Sequence, residues 1–221
     1  MHTSLATTSR LLWAALRALL VLTLLTGVVY PLAVTGIAQG LFPGRANGSQ
    51  IEEDGHVVGS RLIGQRYELP AGKGEKTPRP DLRWFQPRPS NGLGTNSVNT
   101  RYRLLLSGAT NRSGDNPELI RWVEEAKDAV VRDNSTPHYR VDPARVPADA
   151  VTSSGSGLDP DISPAYARLQ VHRVAERNGL PVGRVAELVE RHTDGRVLGF
   201  LGEPRVNVLE LNVALREMTG A

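Results

Sequence analysis

Residues 151–164, VTSSGSGLDPDISP, are the densest run of side chains able to act on a ligand: three serines, two glycines and two aspartates ahead of a Ser-Pro helix start. A Ser/Gly loop feeding a helix N-terminus can offer backbone N–H groups to an anion. This one has no lysine, so it is not the phosphate-cradling GxxxxGK[ST] loop. Ser153, Ser154 and Ser156 also lack the GxSxG frame of a nucleophile elbow. A turn built from Asx and Ser caps accounts for the same residues. His2, His56, His138, His172 and His192 are scattered, with no HExxH and no pair one helical turn apart, so no metal site is expected. Gln170, Asn207 and Asn212 lie beside apolar helix faces, where an amide more often bonds backbone than ligand because buried polar groups must find partners. These residues predict a subunit or binding module rather than an enzyme. The alternative is a membrane-anchored envelope sensor or hydrolase, since the members of a Ser–His–Asp set need only meet in space.

The elements that would position these residues are legible from caps and periodicity. Asn116 reads as an N-cap with Pro117 at the first helical position, and Leu119, Val123, Ala126 and Val130 mark one face. Ser163-Pro164 repeats that start; Ala167, Val171, Val174 and Ala175 form the stripe, and Gly179 the stop. Val185, Leu188, Val189 and His192 suggest a third helix. Asn207 with Glu210 makes a possible capping box leading to Leu211, Leu215 and Met218, although residues 206–208 read equally as a strand. Upstream, residues 51–67 show short β-like runs around an acidic turn, and residues 71–81 form a hydrophilic insert expected to be a mobile loop. Residues 84–90 restore order with two adjacent aromatics, and the Gly/Asn/Ser-rich residues 91–99 are expected to form no regular element. The fold class expected is α+β.

From Ala18 to Gly44 the chain carries no charged side chain for 27 residues. A hydrocarbon layer of about 30 Å asks for roughly 20 apolar helical residues, because backbone amides there can only bond within their own segment. The expected organisation is a cytoplasmic N-terminus at 1–10, a single transmembrane helix at 11–38 and one extracytoplasmic domain at 39–221. Arg10 and Arg17 lie on the N-terminal side and no acidic residue precedes Glu52, which favours a cytoplasmic N-terminus. A cleaved signal peptide is the alternative, but its apolar region would run only about 7–15 residues. Arg17 can reach the interface along its aliphatic stem, and membrane helices tolerate a proline such as Pro31 when neighbours re-satisfy the freed carbonyl. Gly27 and Gly36 are small enough to let another helix approach, and with Tyr30 and Pro31 they mark a packing surface.

Composition removes other classes. The sequence pI is near 9.5, yet setting Arg10 and Arg17 apart from the 26 basic residues leaves 24 against 23 acidic ones. A near-neutral domain has no electrostatic case for nucleic acid. Cysteine is absent, which excludes disulfides, thiolate chemistry and a lipid anchor at cysteine.

Gly27-Val28-Val29-Tyr30-Pro31-Leu32, Leu41-Phe42-Pro43, Ala46-Asn47-Gly48-Ser49, Gly59-Ser60 with Leu62-Ile63-Gly64-Gln65, and Arg88-Pro89-Ser90 follow one another along the chain. Ser156-Gly157-Leu158-Asp159-Pro160 with Ile162-Ser163-Pro164, Gln170 with Arg173-Val174-Ala175, and Gly202-Glu203-Pro204-Arg205-Val206-Asn207 through Leu211-Asn212 complete the series. In this order they resemble the C subunit of the Kdp-type potassium-transporting P-type ATPase, the KdpC family. The resemblance implies a non-catalytic subunit of a high-affinity potassium pump in the plasma membrane, needed for assembly or stability. Its partners would be a channel-like potassium-translocating subunit, a P-type ATP-hydrolysing subunit and a small single-span subunit. The chain would need no cofactor of its own, ATP, Mg2+ and K+ being handled by the whole complex. A catalytic-chaperone role, raising the nucleotide affinity of the ATPase subunit, is also implied, with Gln170 as the contact. That role conflicts with an extracytoplasmic domain, since ATP is inside the cell. Residues 71–81 look longer than the family pattern and residues 91–99 replace a Gly-Gly-Ser-Asn-Leu-Gly-Pro-like run.

Overall fold

The computed structural model describes residues 5–53, 55–69, 79–90, 93–95, 103–105 and 107–220. The chain divides into two compact units, the first ending at Gln50 and the second beginning at Ile51.

The first unit is almost entirely helix: α1 (Leu5–Leu24), a π turn (Leu25–Val29), α2 (Tyr30–Leu41) and the short α3 (Pro43–Ala46). Among the described residues one helix is long and apolar enough to cross a membrane, Ala6–Leu41, whose most apolar 18 residues have a mean hydropathy of 2.1 and none of them buried within the protein. The π turn has a covalent cause. Pro31 has no N–H to give the carbonyl one turn back, and just ahead of it the ladder widens so that the Tyr30 N–H donates to the Leu25 carbonyl. The unit ends on side-chain locks: the amides of Gln39 and Asn47 bond each other, and Asn47 Nδ2 donates to the Pro43 carbonyl.

The second unit mixes helix and strand. β1 (Gln50–Glu53) and β2 (His56–Ser60) form a two-stranded sheet around the acidic turn, and Leu62-Ile63-Gly64 continues as a turn rather than a strand. Residues 71–78 of the expected insert lie outside the described residues; at its end Leu69 N–H donates to the Arg79 carbonyl and Asp81 N–H to that of Tyr67. The irregular stretch at 91–99 contains a strand after all. β3 (Leu93–Thr95) pairs antiparallel with β4 (Arg103–Leu105). Three residues suffice for a ladder when a partner strand supplies the other half, and the turn-rich composition hid it.

The helices follow their caps. Asn116 Oδ1 accepts from the N–H groups of Glu118 and Leu119 at the start of α4 (Pro117–Asn134). Ser163 Oγ accepts from Tyr166 N–H at the start of α5 (Pro164–Arg177), after the two-residue β5 (Asp161–Ile162). Leucine and valine spacing places Val185, Leu188 and Val189 of α6 (Val182–Arg191) in the core. β6 (Thr193–Asp194) and β7 (Arg205–Asn207) follow, then α7 (Val208–Thr219). The ambiguity at 206–208 resolves as both elements: Val206 pairs with Ile162 and Thr193, and Asn207 caps α7 by accepting from Glu210 N–H at 3.2 Å. The sheet order is β5-β7-β6, all antiparallel. The core gathers α5, α6 and α7 around Phe85, Val174, Val185, Leu211 and Leu215, all fully enclosed.

Candidate functional site

Gln170, Asn212 and the Ser/Gly loop converge on one irregular segment, residues 81–90, held between α4, α5, α7 and that loop, whereas Asn207 bonds the Arg61 carbonyl and Asp161 instead. Among the described residues the segment has no sheet neighbour, so its backbone groups need other partners. Asn212 on α7 supplies one set: Phe85 N–H donates to its Oδ1 at 2.9 Å, and its Nδ2 donates to the Phe85 carbonyl at 2.9 Å. Gln170 on α5 does the same for the next residue, Oε1 accepting from Gln86 N–H at 2.7 Å and Nε2 donating to the Gln86 carbonyl at 3.0 Å. Each amide thus replaces a neighbouring strand over one residue.

Arg173, one turn along α5 from Gln170, completes the arrangement. It is 2% exposed. Its guanidinium donates to the carbonyls of Leu82 and Trp84, to Asn134 Oδ1 at 2.8 Å and to Gln170 Oε1 at 2.6 Å. Burial pushes its pKa down to about 10, which still leaves it charged at neutral pH. Asn134, held by the Val130 carbonyl, joins α4 to this network. Beside it, a cavity of about 380 Å³ opens between residues 80–90 and α4, lined by Leu82, Gln86, Asp133, Tyr166 and Arg173 among others.

The loop at 156–160 is a hub. The Ser156 carbonyl accepts from Gly108 N–H, the Gly157 carbonyl from Ser90 Oγ, the Leu158 carbonyl from Gly64 N–H at 2.8 Å and the Pro160 carbonyl from Val208 N–H at 3.0 Å. The Asp159 carboxylate pairs with Arg88 at 3.1 Å, while Arg88 also reaches the carbonyls of Thr152 and Ser153. Five consecutive residues therefore fasten four separate stretches of chain, residues 81–90 through both Arg88 and Ser90. Two glycines permit it. Gly157 sits at φ +68, and a Cβ on Gly64 would lie 2.6 Å from the Asp159 carbonyl oxygen. Ser154 and Ser156 face each other at 3.3 Å, and Ser156 Oγ accepts from Leu158 N–H, as turn residues do. Asp149, unremarked in sequence, fixes the start of α5 by accepting from both Ser163 N–H and Ser163 Oγ.

Other residues are not brought together. His172 stacks on Tyr139 with ring centroids 3.8 Å apart, whereas His192 Nδ1 lies 2.9 Å from the Leu188 carbonyl. Among the described residues no group of three or more His, Asp or Glu could hold a metal ion. In the first unit Gly27 lies in the π turn with Tyr30 and Pro31 directly after it, but Gly36, nine residues on, does not share its helix face.

Residues 12–217 match the model of the family described as KdpC, the K+-transporting ATPase c chain. The chain belongs to the KdpC family. It is 72% identical over 218 residues to a potassium-transporting ATPase KdpC subunit of Streptomyces coelicolor, covering 99% of this chain and 97% of that one. The Streptomyces avermitilis KdpC subunit is 71% identical over 218 residues, covering 99% and 98%. The match extends to Mycobacterium tuberculosis, whose KdpC subunit is 44% identical over 206 residues, covering 93% and 97%. Arg173, which shares a family motif with Gln170 and Val174-Ala175, is the centre of the polar network. Its signal was its position three residues after Gln170 on an otherwise apolar face, a spacing that puts both side chains together.

Proposed function

We propose that this KdpC chain is a non-catalytic accessory subunit of an ATP-driven potassium uptake pump. Its single span docks among the membrane helices of the other subunits, and its domain braces them from the extracytoplasmic side. The observation that carries this reading is the hub loop: Ser156 to Pro160, one of the family motifs of the domain, hold other parts of the same chain. That is how a rigid docking body is built, not how a reacting centre is left open. The charge bias of Arg10 and Arg17 against Glu52 and Glu53 supports the orientation.

The partners are the channel-like potassium-translocating subunit, the P-type ATPase subunit and a small single-span subunit. ATP, Mg2+ and K+ belong to the assembled pump. Gln170 acts here as a clamp, because both ends of its amide already bond Gln86 and a nucleotide would have to displace that backbone. Purification of the full chain in mild detergent tests the proposal: the other pump subunits are expected to come with it in fixed proportion. A chain that purifies alone from membranes containing them contradicts it.

A further inference from the structure

Between β6 and β7 the chain leaves the core, turns at residues 197–201 and returns. Among the described residues of the domain, four of the nine exposed large apolar side chains sit in this one turn: Val197, Leu198, Phe200 and Leu201, with Leu198 80% and Phe200 68% exposed. Soluble surfaces rarely gather apolar side chains this way unless something covers them.

The turn is stiff. Val197 and Leu201 exchange both backbone hydrogen bonds at 2.9 and 3.0 Å, and Arg196 pairs with Glu203 at 2.8 Å across its foot. Leu198 (φ +55) and Gly199 (φ +82) are both left-handed, within a tight three-residue reversal between the paired Val197 and Leu201. A branched leucine at such a position carries strain that asparagine or glycine would avoid. The sequence therefore keeps an apolar side chain where local structure disfavours one. The root is equally fixed: β7 is the middle strand of its sheet, Val206 is fully buried, and the strand runs straight into α7.

We propose that this turn is a docking knob, with Leu198 and Phe200 seated in an apolar pocket on the extracytoplasmic face of another subunit of the same pump. The proposal rests on the reading of the chain as an assembly subunit and names the place where the domain engages its partner. Protein rather than lipid is favoured by charge. An anionic lipid surface recruits a cationic collar. Here the cations near the turn are matched: Arg196 with Glu203, Arg205 with Asp161 and Asp194, and Arg191 with Glu187. A rigid apolar tip inside a rim of paired charges has the anatomy of a protein interface anchor.

The chain has no cysteine, so Leu198→Cys gives a single reactive thiol. Its labelling by a membrane-impermeant maleimide is compared in the assembled pump and in the free full-length chain, with Glu124→Cys on α4 as an exposed control. Labelling of Leu198→Cys is expected to be at least tenfold slower in the pump, with the control unchanged. A photo-cross-linking residue at position 200 is expected to join the chain to one of the pump subunits, identified by mass spectrometry. Equal labelling in both states, or cross-links to lipid alone, would overturn the proposal. Phe200→Asp is expected to lower pump yield while leaving the domain's thermal midpoint unchanged; wild-type yield again argues against the knob. Removing the whole chain separates the two readings. If the pump needs the chain but the thiol stays open, only the knob fails; if the pump assembles without it, the assembly reading fails, and the labelling ratio still decides the turn.

Discussion

Gln170 and Asn212 grip adjacent residues of one segment from opposite sides. Asn212 bonds both backbone groups of Phe85 and Gln170 both of Gln86. The N–H and C=O of one extended residue point to the same side and those of the next point to the other. α7 and α5 thus act as two neighbouring strands, and the segment is fixed without a sheet. Gln170→Ala and Asn212→Ala each leave a buried N–H and C=O unpaired, and each should cost about 3 kcal/mol in urea unfolding. For Gln170→Ala, a raised ATP KM of the pump with an unchanged domain midpoint would instead assign the residue to nucleotide.

Arg173 should be the most sensitive polar position. Arg173→Ala strands the Leu82 and Trp84 carbonyls and should cost about 4 kcal/mol, whereas Arg173→Lys keeps the charge but lacks the planar fork and should cost about 2 kcal/mol. Paired denaturant curves on the full chain check the order; a lysine variant as stable as the parent would contradict the fork geometry.

Asp81 gives the segment a pH response. The Arg83 guanidinium, 2.7 Å away, holds its carboxyl below the ordinary 3.8. A depressed folded pKa adds stability above the ordinary value and loses it as pH falls through the lowered one. Because Arg83 is largely exposed, the effect is about 1 kcal/mol. Asp81→Asn should therefore be less stable than the parent at pH 7, with the gap closing below about pH 3.8. A constant gap down to pH 2 would show another origin.

Leu198→Asn should raise the thermal stability of the chain by about 1 kcal/mol, since asparagine tolerates the left-handed backbone better. The same substitution should weaken pump assembly. Opposite signs in the melting curve and the complex yield are the expected outcome.

In the span, Gly27→Leu should leave membrane insertion intact and lower the yield of assembled pump. It adds bulk where Pro31 and the π turn already leave the backbone in need of a neighbour. Carbonate extraction reads insertion, and co-purification reads assembly.

Much of this was legible because it is local. Asn116, Ser163 and Asn207 announce α4, α5 and α7 through caps that need only the next three residues, and the uncharged run 18–44 announces by its length a helix long and apolar enough to cross a membrane. The amides at 170, 207 and 212 were readable as core groups from the apolar faces around them. Their partners were not, since Asn212 meets Phe85 across 127 positions and Arg173 meets Leu82 across 91. Strand β3 was missed because its pairing with β4, not its own Gly-rich sequence, creates it. The turn at 197–201 went unmarked for a related reason: a short apolar run reads as core until burial is measured.

Pump assembly in cells lacking this chain tests the account most directly. The remaining subunits, expressed alone, should fail to co-purify and should give no potassium uptake at low external potassium, both being restored by the full chain. An intact complex that takes up potassium without it would contradict the account.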